Sequence, residues 1–415
     1  MTSTIAQNIG MKKGAITVNM RYPTRKASSR VNMYSHFIGR GPRDRIFLIS
    51  PSLPSIIIFR QITRGFVTYN CPIKEEFFVG TKAVALLSGG LDSTLAVKMM
   101  IDQGIEVHAL NFTSGFCTCN HGGKDGGGCR SESKRVAEEF GIPLKVIMKG
   151  MDYIELVRSP KHGYGKGMNP CVDCRIFMFI QAKKYMHEIG ASFIITGEVL
   201  GQRPMSQRKD AFRVIERESG LEGLILRPLS AKQLEPTIPE KEGLVDREKL
   251  LDVLGRSRRQ QIDLAEELDV NNYPCPSGGC LLTDKIFSKK VRDLLTNKKD
   301  VTKKDLALLK SGRHFRHKGA KVILGRDEAD NAVLKKMTQE GDIFIEPVGF
   351  PGPAAIISGG GGPEFREYAG SLIVKYALEK AGALRTLRAV CGEETLDYEV
   401  AGPASEELIE ETRVC

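Results

Sequence analysis

The sequence predicts a doubly wound parallel α/β domain followed by a smaller C-terminal α+β domain, and three observations support this fold class. From Lys82 onward, short apolar runs alternate with amphipathic stretches, as they do in the repeated strand–helix units of a parallel sheet. A glycine-rich turn joins the first of these strands to a helix. The chain has 415 residues, enough for two or three domains that each bury a core.

The strands and helices of the first domain are predicted from the spacing of their apolar residues. Strands are expected at 82–87, 106–111, 144–148 and 192–196. Helices are expected after Thr94, through residues 95–100, and over 131–140, 176–189 and 258–268. Ligands of doubly wound sheets bind at the C-terminal ends of the strands. Ser88 and Gly197 follow two of these ends and are therefore candidates for a binding site.

Net charge is unevenly distributed along the chain, which carries +11 overall. Residues 1–80 and 285–340 each carry +9, residues 81–284 are neutral, and residues 341–415 carry −7. An anionic partner is therefore expected at the basic segment 285–340. No apolar run reaches the ~18 residues of a membrane-spanning helix. We expect a cytoplasmic protein without a membrane partner.

Residues 1–80 differ in composition from the rest of the chain. They are poor in acidic residues, rich in Arg and Ser, and show no sustained period of 2 or 3.6. A transit peptide has this composition. We favour a disordered or non-native N-terminal extension over 1–80, with the folded chain beginning at residue 81.

A phosphate-binding turn is predicted at Ser88-Gly89-Gly90-Leu91-Asp92-Ser93, between a buried strand and a helix. Its glycines let the backbone approach an anion, which the amides of the helix N-terminus then face. It lacks the lysine of a Walker loop. The string resembles the PP-loop of ATP pyrophosphatases, which split ATP into AMP and pyrophosphate while adenylating a substrate oxygen. The resemblance implies ATP binding by Ser88, Gly89, Gly90, Asp92, Ser93 and Gly197, with Asp92 also catalytic through Mg²⁺ or the loop backbone.

Ten cysteines point to metal or redox chemistry rather than structural disulfides, because no secretory signal is present. Cys171 and Cys174 stand as Cys-x-x-Cys at the start of a helix, where thiolates are favoured. Cys280 closes a second group that begins at Cys275. Three soft ligands suit an iron–sulfur cluster with one open iron site better than a closed zinc site. A persulfide-carrying pair of cysteines is the alternative.

A third group, Cys117, Cys119, His121 and Cys129, lies in a glycine-rich stretch after the second strand. These residue types can bind zinc or relay sulfur. Their spacing is irregular, so a loop with incidental cysteines is the simpler interpretation.

Several motifs between residues 82 and 284 resemble those of tRNA thiouridine synthases. Asn169-Pro170 with Cys174 is similar to the segment of the first active cysteine in tRNA 2-thiouridylases, except that Cys171 stands where those enzymes have Asp. The strings 174–178 and 196–202 are similar to segments of tRNA 4-thiouridine synthases, and 277–280 resembles the turn of the second cysteine in 2-thiouridylases.

This resemblance implies an ATP-dependent tRNA sulfurtransferase that adenylates a uridine carbonyl oxygen and replaces it with sulfur. Cys174 and Cys280 are then the active cysteines. In a cluster scheme, Cys171, Cys174 and Cys280 hold a [4Fe-4S] cluster, with the nearby Cys275 as the alternative third ligand. The implied partners are tRNA and a sulfur donor such as a cysteine desulfurase or a sulfur carrier.

The C-terminal third is predicted to bind RNA. After a basic helical linker at 285–311, residues 312–321 interleave basic and aromatic side chains, which suits phosphate contact and base stacking. The spaced pattern from Gly325-Arg326 to Pro351-Gly352 resembles the RNA-binding domain of NFACT proteins over 312–400, followed by an acidic tail at 401–415. Candidate RNA contacts are Arg313, Arg316, Lys318, Lys321 and Arg326.

Two other function classes are alternatives. A PP-loop ligase or amidotransferase acting on a nucleobase or small molecule explains the phosphate loop but leaves the cysteine groups and the basic segment unused. A non-catalytic RNA-binding protein is disfavoured because the string 88–93 is intact.

Overall fold

The computed structural model describes residues 33–36, 46–49, 55–62, 65–72, 81–117, 129–270, 273, 280–378 and 384–415. The chain divides into two compact units, Met1–Val79 and Gly80–Cys415. Each unit is described by itself.

The first unit contains a four-stranded antiparallel sheet with its strands in sequence order. Two strands pair along their whole length, from Ser55 opposite Pro72 to Ile62 opposite Gly65. This sheet differs from the disordered extension expected for the segment. The β-branched run Ile56-Ile57-Ile58 favours a strand even though polar and apolar residues do not alternate there. Whether the segment is native stays a prediction. The strands are β1 (Met33–His36), β2 (Ile46–Ile49), β3 (Ser55–Ile62) and β4 (Gly65–Pro72).

The second unit begins with a five-stranded parallel sheet in the order β7-β6-β5-β8-β9, which confirms the predicted doubly wound domain. Apart from Lys82 and Thr196, the residues of β5 and β8 are apolar and buried on both faces of the sheet. For this reason these strands read as continuous apolar runs rather than alternating patterns. The strands are β5 (Lys82–Leu86), β6 (Glu106–Thr113), β7 (Leu144–Met148), β8 (Phe193–Thr196) and β9 (Ile225–Leu226).

Helices cover both faces of this sheet. Leu95 and Met100 belong to the core on one face, and Phe179 and Ile194 belong to the core on the other. The helix that starts at Cys171 begins five residues before the predicted start at Ile176. The helices are α1 (Leu91–Asp102), α2 (Cys129–Glu139), α3 (Met151–Arg158), α4 (Cys171–Glu188), α5 (Lys209–Ser219), α6 (Ile238–Lys241) and α7 (Arg259–Glu267).

The C-terminal part of the unit is a six-stranded antiparallel sheet with helices, as the predicted α+β class requires. Leu372 lies in the core on one face of the sheet, and Leu334 lies in the core on the other. The strand order is β10-β11-β13-β12-β14-β15. The strands are β10 (Arg313–His317), β11 (Ala320–Leu324), β12 (Ile343–Pro347), β13 (Ala355–Ser358), β14 (Arg385–Cys391) and β15 (Glu394–Val400), and the helices are α10 (Glu328–Met337), α11 (Pro363–Tyr376) and α12 (Glu406–Thr412).

Two segments expected to be a linker and a tail are packed parts of the second unit. The basic segment forms α8 (Lys285–Asn297) and α9 (Lys303–Leu308), and α8 buries Phe287 and Val291 in a core shared with Phe116 and Tyr153. In the acidic segment, α12 buries its Ile409 in the core of the C-terminal domain. Apolar residues at helical spacing in both segments account for this packing.

Among the residues that the structure describes, no helix is long and apolar enough to cross a membrane.

Candidate active site

The glycine-rich turn between β5 and α1 leaves the amides at the start of α1 free of a side-chain cap. The N-cap is Gly90, which has no side chain to accept those hydrogen bonds. Ser88 and Ser93 face each other across the turn, with 3.0 Å between their hydroxyl oxygens, and Ser93 Oγ donates to the carbonyl of Gly90 at 2.9 Å. The turn therefore presents hydroxyl and amide donors together, as anion binding requires.

Two glycines at the predicted ATP site are required by close backbone contacts. Gly89 has a φ of +78°, and a Cβ there would lie 2.6 Å from the backbone of Glu132 and Ser133. Gly197, just after β8, would place a Cβ 2.5 Å from the backbone of Asp92. The turn after β8 thus packs directly on the first residues of α1, with no room for a side chain.

Asp92, in the first turn of α1, has one carboxylate oxygen available. Its Oδ2 accepts a hydrogen bond from Gln202 Nε2 at 3.1 Å and lies 4.0 Å from Arg258 Nη2. Its Oδ1 is buried and accepts no hydrogen bond from the described residues. A buried carboxylate oxygen without a partner is costly, so this atom suits a ligand that brings a cation or a donor.

One cavity of about 320 Å³ joins the glycine-rich turn to the cysteines. Its volume is within the range of small-ligand sites. The carboxyl ends of β5, β6 and β8 border it, as the topology predicts. The sequence-predicted residues that line it are Ser88, Gly90, Asp92, Ser93, Gly197, Cys171, Cys174 and Cys280, and Cys117 lines it as well.

Cys174, in the first turn of α4, lies beside a lysine and a tyrosine that sequence analysis did not identify. Lys149 Nζ donates to its sulfur at 3.0 Å and Tyr153 Oη donates at 3.3 Å. Burial opposes ionisation of the thiol, but the charge of Lys149 and the two hydrogen bonds outweigh it and hold the pKa of Cys174 below its ordinary value. Of Cys171, Cys174 and Cys280, Cys174 is therefore the cysteine most easily ionised to a thiolate.

Burial disfavours ionisation of two other cysteines that line the cavity, Cys171 and Cys280. Burial raises the pKa of Cys171. Burial also raises the pKa of Cys280 to about 12. Tyr153 remains a proton donor, because burial and the charge of Cys174 raise its pKa well above the usual range. Cys174 and Cys280 thus have pKa values shifted in opposite directions, which favours distinct chemical roles for the two sulfurs.

Glu198, which lies two residues after the end of β8 in the segment 196–202, is buried between two arginines. Its Oε1 lies 3.3 Å from Arg175 Nε, and its Oε2 lies 3.3 Å from Arg227 Nε. Arg175 is adjacent to Cys174 in α4 and contributes to the lowered pKa of that thiol. The buried carboxylate therefore fixes a cation next to the reactive sulfur.

The described side chains do not fit an iron–sulfur cluster. Among them, no three Cys, His, Asp or Glu residues are grouped so that they could hold a metal ion. Lys149 and Tyr153 already donate to the sulfur of Cys174 from within the cavity. We therefore derive no step through a cluster, and the ligand set Cys171, Cys174 and Cys280 stays a prediction.

Several residues of the predicted cysteine groups lie outside the described part of the chain. Cys119, His121 and Cys275 belong to undescribed segments, and the side chain of Cys129 is not described either. Of the irregular third group, only Cys117 has a described side chain, and it forms an isolated antiparallel bridge with Cys280.

Most of the predicted RNA-contacting residues make contacts within the protein. Arg316 and Lys321 both bind Asp293 of α8, with shortest distances of 2.6 Å. Arg326 pairs with Asp330 at 2.6 Å, and the guanidinium of Arg313 lies 4.7 Å from the ring centre of Tyr376. Lys318 is exposed and forms no ion pair with a described residue. The roles of Lys318 and of the other four residues in RNA binding stay predictions.

Comparison with known proteins identifies two domains. Residues 78–238 match the family described as Thiamine biosynthesis protein (ThiI), and residues 312–411 match the NFACT protein RNA binding domain. The second match includes most of the segment that we expected to be a tail.

Curated relatives are similar to part of this chain. A "Probable tRNA sulfurtransferase" of Thermococcus kodakarensis is 31% identical over 153 residues, covering 36% of this chain and 38% of that protein. A "tRNA-specific 2-thiouridylase MnmA" of Syntrophotalea carbinolica is 30% identical over 115 residues, covering 27% of this chain and 32% of that protein. The matching segment spans about a third of the length of these relatives.

Among solved structures, a 4-thiouridine synthetase–RNA complex with bound ATP is similar at a TM-score of 0.30 and 21% identity, covering 53% of this chain and 60% of that one. A likeness at that level is too weak to bear on fold or function. The matches concern two separate segments: residues 78–238 are similar to the ThiI family, and residues 312–411 are similar to the NFACT RNA-binding domain.

Proposed function

We propose that this protein is an ATP-dependent tRNA sulfurtransferase that adenylates a uridine carbonyl oxygen and replaces it with sulfur. One observation carries the proposal: the glycine-rich turn and the Lys149–Cys174 pair line the same cavity. Oxygen-to-sulfur exchange needs both parts. ATP makes the oxygen a leaving group, and a sulfur nucleophile displaces it. The relatives named for tRNA thiolation support the same substrate class.

Activation of the oxygen belongs to the PP-loop. Ser88, Ser93 and the amides from Gly89 onward hold the departing pyrophosphate, as expected of a helix N-terminus without a side-chain cap. The free Oδ1 of Asp92 is the protein ligand for the Mg²⁺ that accompanies ATP. When bound, that ion neutralises charge on the phosphates.

Sulfur transfer uses Cys280 as the persulfide carrier and Cys174 as the resolving thiolate. The terminal sulfur of the Cys280 persulfide attacks the activated carbon, and AMP leaves with the electron pair of the broken C–O bond. The Cys174 thiolate then attacks Cys280 Sγ. The Cys174–Cys280 disulfide forms, and the electron pair of the old S–S bond leaves with the sulfur now on the base.

The charge states favour this direction over the reverse. The attacking group in disulfide chemistry is the thiolate, and Cys174 has the lowered pKa while that of Cys280 is raised. The cycle closes when a thiol reductant supplies two electrons to the disulfide and a persulfide donor, such as a cysteine desulfurase or a sulfur carrier, reloads Cys280.

The experiment is a reconstitution with the full chain, an unmodified tRNA transcript, ATP and a persulfide donor. Nucleosides from the digested tRNA are analysed by mass, and AMP is measured in parallel. We expect one thionucleoside per AMP in the wild type and none in Cys174→Ala. Cys391→Ala is the matched control, since Cys391 is exposed on β14 and does not line the cavity. Thiolation at the normal rate in Cys174→Ala would refute the assignment. AMP formation with a nitrogen donor and no thionucleoside would support the ligase class.

A further inference from the structure

Cys117 has no role in the reaction described above, although it lines the same cavity as Cys174 and Cys280. It belongs to the turn that follows β6, and it forms an isolated antiparallel bridge with Cys280. The two cysteines stand directly opposite each other in this bridge, so Cys117 faces a second thiol rather than standing alone in a loop.

The hydrogen bonds of this bridge identify the kind of pair. Leu281 N donates to Phe116 O at 2.9 Å, so the ladder bond runs between the neighbours of the two cysteines rather than between the cysteines themselves. Cys117 and Cys280 are therefore a non-hydrogen-bonded pair. Opposite Cα atoms in such pairs are about 4.5 Å apart, closer than in hydrogen-bonded pairs. A disulfide spans Cα separations of about 4.4–6.8 Å.

The turn that carries Cys117 is held by its own hydrogen bonds. Ser114 Oγ accepts from Phe116 N at 3.2 Å and lies 3.3 Å from Cys117 Sγ, and Cys117 N donates to Ser114 O. Phe116 is buried against Tyr153 and Phe287. The backbone on the Cys117 side of the bridge is thus fixed by packing and by three polar contacts.

We propose that Cys117 is a third redox thiol of the site, which forms a cross-strand disulfide with Cys280 and thereby releases Cys174. The pairing itself stands on the bridge geometry. The exchange step rests on the proposed function, because that function supplies the Cys174–Cys280 disulfide.

The exchange needs no further oxidant. Cys117 gives up its proton to solvent and its thiolate attacks Cys280 Sγ, so that a Cys117–Cys280 bond forms while the Cys174–Cys280 bond breaks. The electron pair of the broken bond leaves on Cys174. A stabilised thiolate is the better leaving group in such exchanges, and Lys149 and Tyr153 donate to the sulfur of Cys174. A thiol reductant then opens the cross-strand disulfide.

The pairing is tested on the full chain without tRNA. Protein is oxidised with diamide, free thiols are alkylated, and linked peptides are mapped by mass spectrometry without reduction. We expect a Cys117–Cys280 linked peptide in the wild type and also in Cys174→Ser, while Cys391→Ser gives the wild-type result. Alkylation of both Cys117 and Cys280 in oxidised Cys174→Ser overturns the pairing.

The exchange is tested in turnover with ATP, tRNA and a persulfide donor. In Cys117→Ser and Cys117→Ala we expect the first turnover at the wild-type rate, a Cys174–Cys280 linked peptide that accumulates, and later turnovers slowed about tenfold. Later turnovers at the wild-type rate in both variants overturn the exchange. If the proposed function itself is wrong, no tRNA-dependent disulfide forms in any variant, but diamide still links Cys117 to Cys280. The two failures are therefore distinguishable.

Discussion

The side-chain nitrogen of Lys149 lies 3.0 Å from the sulfur of Cys174, although 25 residues separate them in sequence. Lys149 follows β7 and Cys174 is in the first turn of α4. The same ammonium lies 4.6 Å from the ring centre of Tyr153, whose hydroxyl also donates to Cys174. One lysine therefore orders the tyrosine and stabilises the thiolate.

Lys149→Met is expected to raise the pKa of Cys174. Burial alone favours the neutral thiol, and Lys149 is the largest of the influences that oppose burial. Because the thiolate is the reactive form, the pH profile of iodoacetamide alkylation at Cys174 moves to higher pH. Thiolation at neutral pH falls roughly tenfold to a hundredfold, which reflects loss of a group that activates the nucleophile.

Lys145→Met is the matched control for this change. Lys145 is on β7, and its ammonium pairs with Glu188 at 2.6 Å, away from the cavity. Its alkylation profile should coincide with that of the wild type. An unchanged profile in Lys149→Met would mean that the lysine does not set the charge of Cys174.

Gly197→Ala is expected to disturb the phosphate site without touching a ligand-binding side chain. The added Cβ would lie 2.5 Å from the backbone of Asp92 and so push the turn after β8 away from α1. Overpacking of this kind costs about 1–3 kcal/mol of unfolding free energy. ATP affinity, measured by calorimetry, should fall as well. Gly402→Ala is the control, since its Cβ meets nothing within 4 Å; equal effects in both variants would contradict the close contact.

The parallel domain could be predicted from sequence because its central strands β5 and β8 are buried on both faces. Runs such as Ala83–Leu87 have no polar residue to alternate with, and a glycine-rich turn marks the point where the strand meets the helix. The start of α4 was predicted five residues late, because its first turn carries Cys171, Asp173 and Cys174 rather than an apolar stripe. Asp173 accepts backbone hydrogen bonds from Lys161 and His162. These hydrogen bonds explain why a polar residue occupies the first turn of α4, which hydrophobic periodicity alone does not predict to be helical.

The partners of Cys174 could not be predicted. Lys149 and Tyr153 belong to no motif, and they reach the sulfur only because β7 and α3 bring them to the N-terminal end of α4. The basic residues of β10 and β11 are the converse case, because the sequence predicts RNA contacts for them but does not reveal their partner within the protein. Their pattern is visible in sequence, but the carboxylate that binds Arg316 and Lys321 comes from α8, more than one element away.

Asp293→Asn is expected to destabilise the second unit. Asp293 is 11% exposed and pairs with both Arg316 and Lys321, so its neutralisation leaves two cations with little access to water. A fully buried pair broken in this way loses about 3–5 kcal/mol, and the partial exposure here reduces the expected loss to about 2–3 kcal/mol. Urea unfolding at pH 7 measures it. Asp397→Asn is the control, because its pair with Arg388 is exposed and should contribute little.

The difference between wild type and Asp293→Asn should disappear in acid. Burial opposes ionisation of Asp293, but Arg316 and Lys321 more than offset it and hold its pKa below the ordinary value. A lowered carboxyl pKa contributes stability that is full above the unfolded pKa of about 3.9 and is lost as pH falls through the folded value. NMR titration locates the folded pKa of Asp293, and a gap that persists well below that pH would mean that the variant acts through packing rather than charge.

Lys318→Ala is expected to weaken binding of tRNA to the full chain. Lys318 is exposed between β10 and β11 and is free of ion pairs with the described residues. Loss of one phosphate contact lowers the slope of log K against log salt by about 1. Filter binding at several salt concentrations measures the slope, with Lys184→Ala on an exposed position of α4 as the control. Identical slopes in wild type and Lys318→Ala would remove this residue from the RNA surface.

Cys171→Ser separates the persulfide scheme from the cluster scheme. In the persulfide scheme Cys171 neither carries nor resolves sulfur, and burial keeps it a neutral thiol, so the variant retains thiolation within about twofold of wild type. In the cluster scheme it is one of three ligands, and its loss abolishes both bound iron and activity. Protein purified without oxygen is therefore assayed for iron, absorbance and thiolation together. Cys174→Ser is inactive in both schemes and serves as the reference. An iron-containing wild type whose Cys171→Ser variant loses iron and thiolation in parallel would overturn the persulfide assignment, since no persulfide step requires Cys171.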